Sequence, residues 1–389
     1  MNFLFNSISF YFLMPIYIAL LLLLAFFNIP DNYYFSFFFF FAMVTLPVIL
    51  IKLITPLNIR VHDYYQQIFS TPYRFVVLLL CLIIAICGPI DIYVNGFKLL
   101  NPATYAEING IGRYVRHITI LCWIFIPVAF ILLRSPFMKF FFITYAIIFP
   151  ILIIDRNRFF TSCYSLFFCL TLVHQSSEIV KRKLVSKFSF CVIPIICVLS
   201  FAIIGHYRSG SSFIVPSSGT MLHYNTYPLT DLFTSLPSLM QQIILYITTP
   251  IFNFITVASQ GFINQDFLLS QFSPFNRESF DVYPYAPILV PRFNVGTEFY
   301  PFLLYGGLFM VIWAFAFLLL SFILAFALFK KYPNIFTFLI FIKISYSVLF
   351  MGFAPQFYIL LNLMFIVLMC FLWFCSHLLR RAITTSHAT

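Results

Sequence analysis

The sequence predicts an all-α, polytopic membrane protein of about ten transmembrane helices with one large external loop. Hydrophobic residues fill 62% of its 389 positions and charged ones only 8%, where water-soluble domains carry roughly a quarter charged residues. Apolar runs of about 17 to 25 residues, long enough to cross a bilayer, recur through most of the chain. A net charge of +11 would suggest nucleic acid in a soluble protein. Here the basic residues gather at the ends of apolar runs, where membrane orientation accounts for them, so no nucleic-acid partner is expected.

In order, the runs fall at 10–27, 33–54, 75–94, 118–133, 137–154, 159–174, 188–204, 301–329, 335–353 and 356–377. The first lacks a basic leader and a small-residue cleavage site, so it reads as a retained helix and not a signal peptide. Ten spans put both termini on one side. Lys52, Arg60, Arg74, Arg134, Lys139, Lys181, Arg182, Lys183, Lys187, Lys330, Lys331, Arg380 and Arg381 fall on that side, which the excess of positive charge marks as the inner one. The outer side receives Lys98, Arg113, Arg116, Arg156, Arg158, Arg208, Arg277 and Arg292, with nine of the eleven acidic residues. No internal repeat is visible, so 1–389 reads as a single integral membrane domain.

The outer loop, 205–300, opens with GHYRSG and closes with PRFNVGTEFYP. Within it, 241–262 is apolar but interrupted by Thr248, Thr249 and Pro250. A full span there would turn the C-terminal lysines and arginines outward, so the segment reads as a re-entrant or interface-lying helix.

The outer arginines are the informative residues. Arg156 and Arg158 sit in IDRNRFF, where one span follows another after almost no loop, and Arg208 follows directly on the seventh span. Arginine's planar fork pairs bidentately with phosphate, and several converging arginines, Arg277 and Arg292 among them, would suit a diphosphate. Each taken alone is equally well explained by snorkelling to lipid phosphates or by pairing with Asp155. Arg156 and Arg158 lie about 200° apart on a helix, so only one can turn inward. The expectation is Arg158 inward, with Arg156 left for Asp155.

His206, in the glycine- and serine-rich GHYRSGSS, titrates near neutrality and is a candidate general base, or an ordinary interfacial histidine. Asp281, Arg292, Asn294, Glu298 and Tyr300 belong to a run thick with tyrosine and proline. Aromatic faces stack on sugar rings and carboxylates accept from sugar hydroxyls, so this run reads as a saccharide surface. Glu298 could equally do no more than favour a helix N-terminus. Lys343 lies within a span, where a charge costs about 3 kcal/mol and marks a site unless it snorkels. All nine cysteines fall in apolar runs and read as small hydrophobes. Neither a protein-bound metal nor a cofactor is expected.

The order of these parts resembles the O-antigen polymerase (Wzy-type oligosaccharide repeat-unit polymerase) family. RNRFF at a tight outer turn, a large loop opening with YRSG, the YITTP segment and NVGTEFYPFLLYGG leading into the next span carry the resemblance. Asn294, Thr297 and Phe299 match the family's N-x-x-T-x-F run; Tyr305 stands before Gly306 where an acidic residue is usual, so no role is carried to that position. The resemblance implies a glycosyltransferase of the bacterial inner membrane, with both termini cytoplasmic and the large loop periplasmic. Its substrate would be undecaprenyl-diphosphate-linked oligosaccharide, handled among membrane lipids, with a chain-length regulator as a further partner. Arg156, Arg158, Arg208, Arg277 and Arg292 would hold diphosphate, Asp281, Asn294 and Tyr300 saccharide, and His206 and Glu298 would act as base or orient the acceptor. A ligase of the same shape, or a polysaccharide flippase or other transporter, are the alternatives.

Overall fold

The computed structural model describes residues 7–55, 59–69, 74–102, 110–176, 192, 195–196, 198–200, 202–205, 229–273 and 296–386. Among these the chain is helical, with one isolated bridge between Phe27 and Leu229. In chain order the helices are α1 (Ile8–Phe12), α2 (Met14–Phe26), α3 (Tyr34–Ile54), α4 (Tyr65–Phe69) and α5 (Arg74–Asn95). Then come α6 (Ile111–Thr119), α7 (Phe125–Ile131), α8 (Pro136–Leu152), α9 (Arg156–Ser176) and α10 (Asp231–Thr234). The remainder are α11 (Ser238–Gln260), α12 (Gln265–Phe272), α13 (Tyr300–Lys331), α14 (Ile335–Leu349) and α15 (Leu360–Ser386).

Seven helical stretches among the described residues are long and apolar enough to cross a membrane: Ile8–Phe26, Asp31–Ile54, Arg74–Asn95, Ile111–Ile131, Ser238–Gln260, Tyr300–Lys331 and Leu360–Leu378. Pro136–Leu152 and Ile335–Leu349 are apolar but shorter. The outward faces agree. Phe309, Trp313, Phe317, Leu320 and Leu324 recur at helical spacing along α13 and are all more than half exposed, a stripe that suits hydrocarbon and not water. The chain is an all-helical, polytopic membrane protein.

The segment 241–262, expected as a re-entrant or interface-lying helix, is helical. It lies almost wholly in α11, which is helical from Ser238 to Gln260 without a break at Thr248–Pro250 and closes on Gly261 in the left-handed conformation. Proline in a membrane helix costs one backbone bond and need not end the helix when neighbours bury it.

The chain divides into two compact units, residues 1–59, 211–326 and 343–365 in one and 60–210, 327–342 and 366–389 in the other. In the first, α11 packs on α2 and α3: Phe252 stacks on Phe27, Phe254 tilts against Phe40, and the Ser36 and Ser259 hydroxyls meet at 2.9 Å. Gly306 and Gly307 break α13 near its start, and Gly307 takes φ +68°, a conformation that disfavours any side chain. The break frees the Leu304 carbonyl, which accepts the Asn264 N–H at 2.8 Å.

In the second unit, Pro89 in α5 cannot donate to the Ala85 carbonyl. Tyr145 of α8 donates its hydroxyl across Ile84 O and Ala85 O at 3.4 and 3.5 Å. It can approach because residue 88 is glycine: a Cβ there would lie 1.8 Å from Tyr145 Oη. The second unit holds the denser knot of charge.

Candidate functional site

Three helix ends converge on Asp91. The turn from α8 to α9 sets the geometry, and Ile154, a buried β-branched residue, is held there at φ +55°, an uncommon conformation for its type. It allows the Asp155 N–H to close on Pro150 O at 2.9 Å. Asp155 then stands before α9 as its cap. Its Oδ1 accepts the Arg158 N–H at 3.2 Å and its Oδ2 pairs with Arg158 Nε at 2.8 Å.

Arg158, 3% exposed, reaches inward with the rest of its fork. Nη1 donates to Thr119 Oγ1 at 2.6 Å and lies 3.6 Å from Asp91 Oδ2, while Nη2 donates to Arg116 O at 2.7 Å. Asp91, fully buried near the end of α5, also accepts from Asn95 Nδ2 at 2.6 Å, Thr119 Oγ1 at 2.7 Å and Arg116 Nε at 3.3 Å. Asn95 donates as well to Gly112 O at 3.1 Å. A Cβ on Gly112 would come within 2.1 Å of Asn95 Oδ1, so glycine is what lets α6 approach α5.

Arg116 keeps an unmet donor. Arg116 Nη2 is buried and has no hydrogen-bond partner, although a guanidinium normally meets most of its five N–H groups. The cluster thus presents a charged nitrogen, held by Asp91 through the Nε of the same fork, with capacity to donate to a further anionic or carbonyl oxygen.

Arg158 turns inward, as the helical phase predicts, and its Nε also pairs with Asp155. Its three nitrogens all face groups of this chain. Arg156, the first residue of α9, is half-buried. Asp91, Asn95, Arg116 and Thr119 were not singled out from the sequence. The usable signal was Asp91, a carboxylate inside the apolar run 75–94, where an ionisable group marks a site by default.

Glu298 lies in the first unit and is fully buried. Its carboxylate accepts three successive backbone N–H groups ahead of α15: Gln356 at 2.6 Å and Phe357 at 3.0 Å on Oε2, with Phe357 at 3.1 Å and Tyr358 at 2.8 Å on Oε1. Its own N–H donates to Met351 O at 2.7 Å. Glu298 therefore clasps the 351–358 turn, a carboxylate in a concave row of amides. Burial pushes its carboxyl up to about 7, against the pull of those three amides and of the Lys343 ammonium. Lys343 also lies 5.1 Å over the Tyr346 ring. Tyr300, two residues on, is buried edge-on against Phe267, and its hydroxyl has no hydrogen-bond partner.

No family model, curated protein or solved structure matches the chain. The site is therefore read from its own chemistry. His206, Arg208, Arg277, Asp281, Arg292 and Asn294 lie outside the described residues. Of the residues expected to hold saccharide, only Tyr300 is described, and of those expected to hold diphosphate, Arg156 and Arg158.

Proposed function

We propose that the chain is a membrane glycosyltransferase that extends a glycan, moving the growing chain from a polyprenyl diphosphate onto the next lipid-linked repeat unit at the outer face. The observation that carries this reading is the buried Arg116 guanidinium. Fixed by Asp91 and out of water, it keeps one donor unmet at the shared end of three helices, and a guanidinium so placed suits a phosphoryl oxygen. In the reaction an acceptor hydroxyl attacks the anomeric carbon, the bond from that carbon to the diphosphate oxygen breaks, and the hydroxyl proton passes to a base. Negative charge grows on the departing diphosphate, where a preorganised cation lowers the barrier most. Arg116 takes that role in the proposal, with Arg158 and Asp91 positioning it; Arg156, Arg208, Arg277 and Arg292 are assigned to the same diphosphates and His206 to the base. Asp281, Asn294 and Tyr300 are assigned to the sugars. Glu298 is assigned to the clasp, and the membrane is the bacterial inner one.

Deletion of the gene in its own host, with the surface glycan resolved on a gel, tests the reading. The expected result is core bearing a single repeat unit, restored to long chains by the wild-type gene but not by Arg116→Gln expressed at the same level. Long polymer accumulating on the carrier lipid would assign a ligase instead. Unchanged long chains on the surface would overturn both glycan readings.

A further inference from the structure

Helix α11 carries polar side chains that the arginine site does not use. Gln242, Thr249 and Thr256 are at most 3% exposed, and Gln242 Oε1 and Nε2, Thr249 Oγ1 and Thr256 Oγ1 make no hydrogen bond. The three are seven residues apart, so each is turned only about 20° from the one before. Asn253 falls on the same face. Phe252 and Ser259, which meet Phe27 and Ser36, lie on one side of this row, and Phe254, which meets Phe40, lies on the other. Thr248 shows what an idle hydroxyl does in this helix: it donates to Ile244 O at 2.6 Å, satisfied one turn back as helical threonines commonly are. Thr249 and Thr256 have no such bond. A row of unmet donors and acceptors about 21 Å long is costly in an apolar interior unless something polar lies along it.

The geometry points to a track for an extended, neutral, polyhydroxylated ligand, a saccharide, along the Gln242–Thr249–Thr256 face. Hydroxyls and a carboxamide both donate and accept, as sugar hydroxyls do. Helix α11 has no Lys, Arg, Asp or Glu, so neither a phosphate nor a metal cation would find its countercharge there. The row runs along most of a spanning helix, which suits a chain of linked units better than one compact molecule. This inference rests on the glycan reading above and concerns the sugar part of the substrate.

The test uses the full chain in lipid nanodiscs and the oligosaccharide released by mild acid from the host's lipid-linked repeat units, titrated calorimetrically. The variants are Thr249→Val with Thr256→Val, Gln242→Met, and Thr248→Val as a control on a hydroxyl already satisfied. Wild type and Thr248→Val are expected to bind alike, and the double variant to bind about tenfold more weakly, as for the loss of two neutral hydrogen bonds. Valine matches threonine in shape and removes an unmet polar group, so the double variant should melt no lower than wild type. Equal affinity in wild type and the double variant, or no binding by wild type, overturns the track. The deletion phenotype is scored separately: loss of long chains in the deletion strain alongside equal binding would retain the glycosyltransferase and reject the track.

Discussion

Glu298 and Tyr358, sixty residues apart, are joined by the shortest of the Oε1 contacts: the Tyr358 backbone N–H donates to the Glu298 carboxylate at 2.8 Å. Because Gln356 and Phe357 donate to the same group, one side chain satisfies the amides that lead into α15. A helix start buried without such a partner leaves its N–H groups unmet. Glu298→Ala is therefore expected to lower stability by about 3 kcal/mol or more, read as a lower melting temperature in detergent. Glu298→Gln, which keeps one acceptor oxygen, should fall between. If Glu298→Gln instead melts like wild type yet forms no product, the carboxylate acts on the substrate and the clasp is secondary.

Glu298 also predicts a pH dependence. Its carboxyl is raised from 4.5 to about 7 by burial, so the folded state holds a proton that the unfolded state releases. Stability from this group is fully present below about 4.5 and is lost as pH rises through about 7, a change on the order of 3 kcal/mol. Melting curves between pH 4 and 8 should show wild type losing stability across that window relative to Glu298→Gln. A difference that grows in the opposite direction would mean that the amides and Lys343 outweigh burial.

Asp91 and Arg158 are both buried, and removing either takes one partner from the other, although Asp91 keeps Arg116 and Arg158 keeps Asp155. Asp91→Ala and Arg158→Ala are each expected to cost about 3 kcal/mol. The double variant should cost clearly less than the two together, because the contact between the two charges is then lost only once. Strict additivity in thermal or chemical denaturation would show that the 3.6 Å approach of Arg158 Nη1 to Asp91 carries no coupling. Loss of Asp91 also releases Arg116, so glycan extension should fall even at temperatures where the variant stays folded.

How far the sequence reached depends on what kind of signal each feature leaves. Apolar runs are continuous, so the membrane class and the spans over 33–54 and 75–94 were legible directly; α3 and α5 occupy them. Helical phase placed Arg158 inward. The pairing of Asp155 with Arg158 was not legible, because it depends on the turn through Ile154. Nor was Arg116: it became informative only once Asp91, twenty-five residues earlier, was seen to hold its Nε. The helix over 241–262 was legible from its apolar run, and α11 covers nearly all of it, with burial overriding the local propensity of Thr248–Pro250. The clasp of Glu298 on backbone amides leaves no trace in residue types at all, since any residues at 356–358 other than proline present the same N–H groups.

Gly88 and Tyr145 make a test of the proline in α5. Pro89 leaves Ala85 O without its helical donor, and Tyr145 Oη reaches that carbonyl only because residue 88 has no side chain. Gly88→Ala places a Cβ 1.8 Å from the tyrosine hydroxyl, so Tyr145 must withdraw and leave the carbonyl unmet in an apolar surround, at a cost of roughly 1 to 3 kcal/mol. Tyr145→Phe alone loses the hydrogen bond without the clash and should cost about 1 kcal/mol. The double change removes the hydroxyl that causes the collision, so it should be more stable than Gly88→Ala alone even though it carries two substitutions. If the double variant melts below Gly88→Ala, the steric account of Gly88 fails, and its value lies in the backbone of α5 instead.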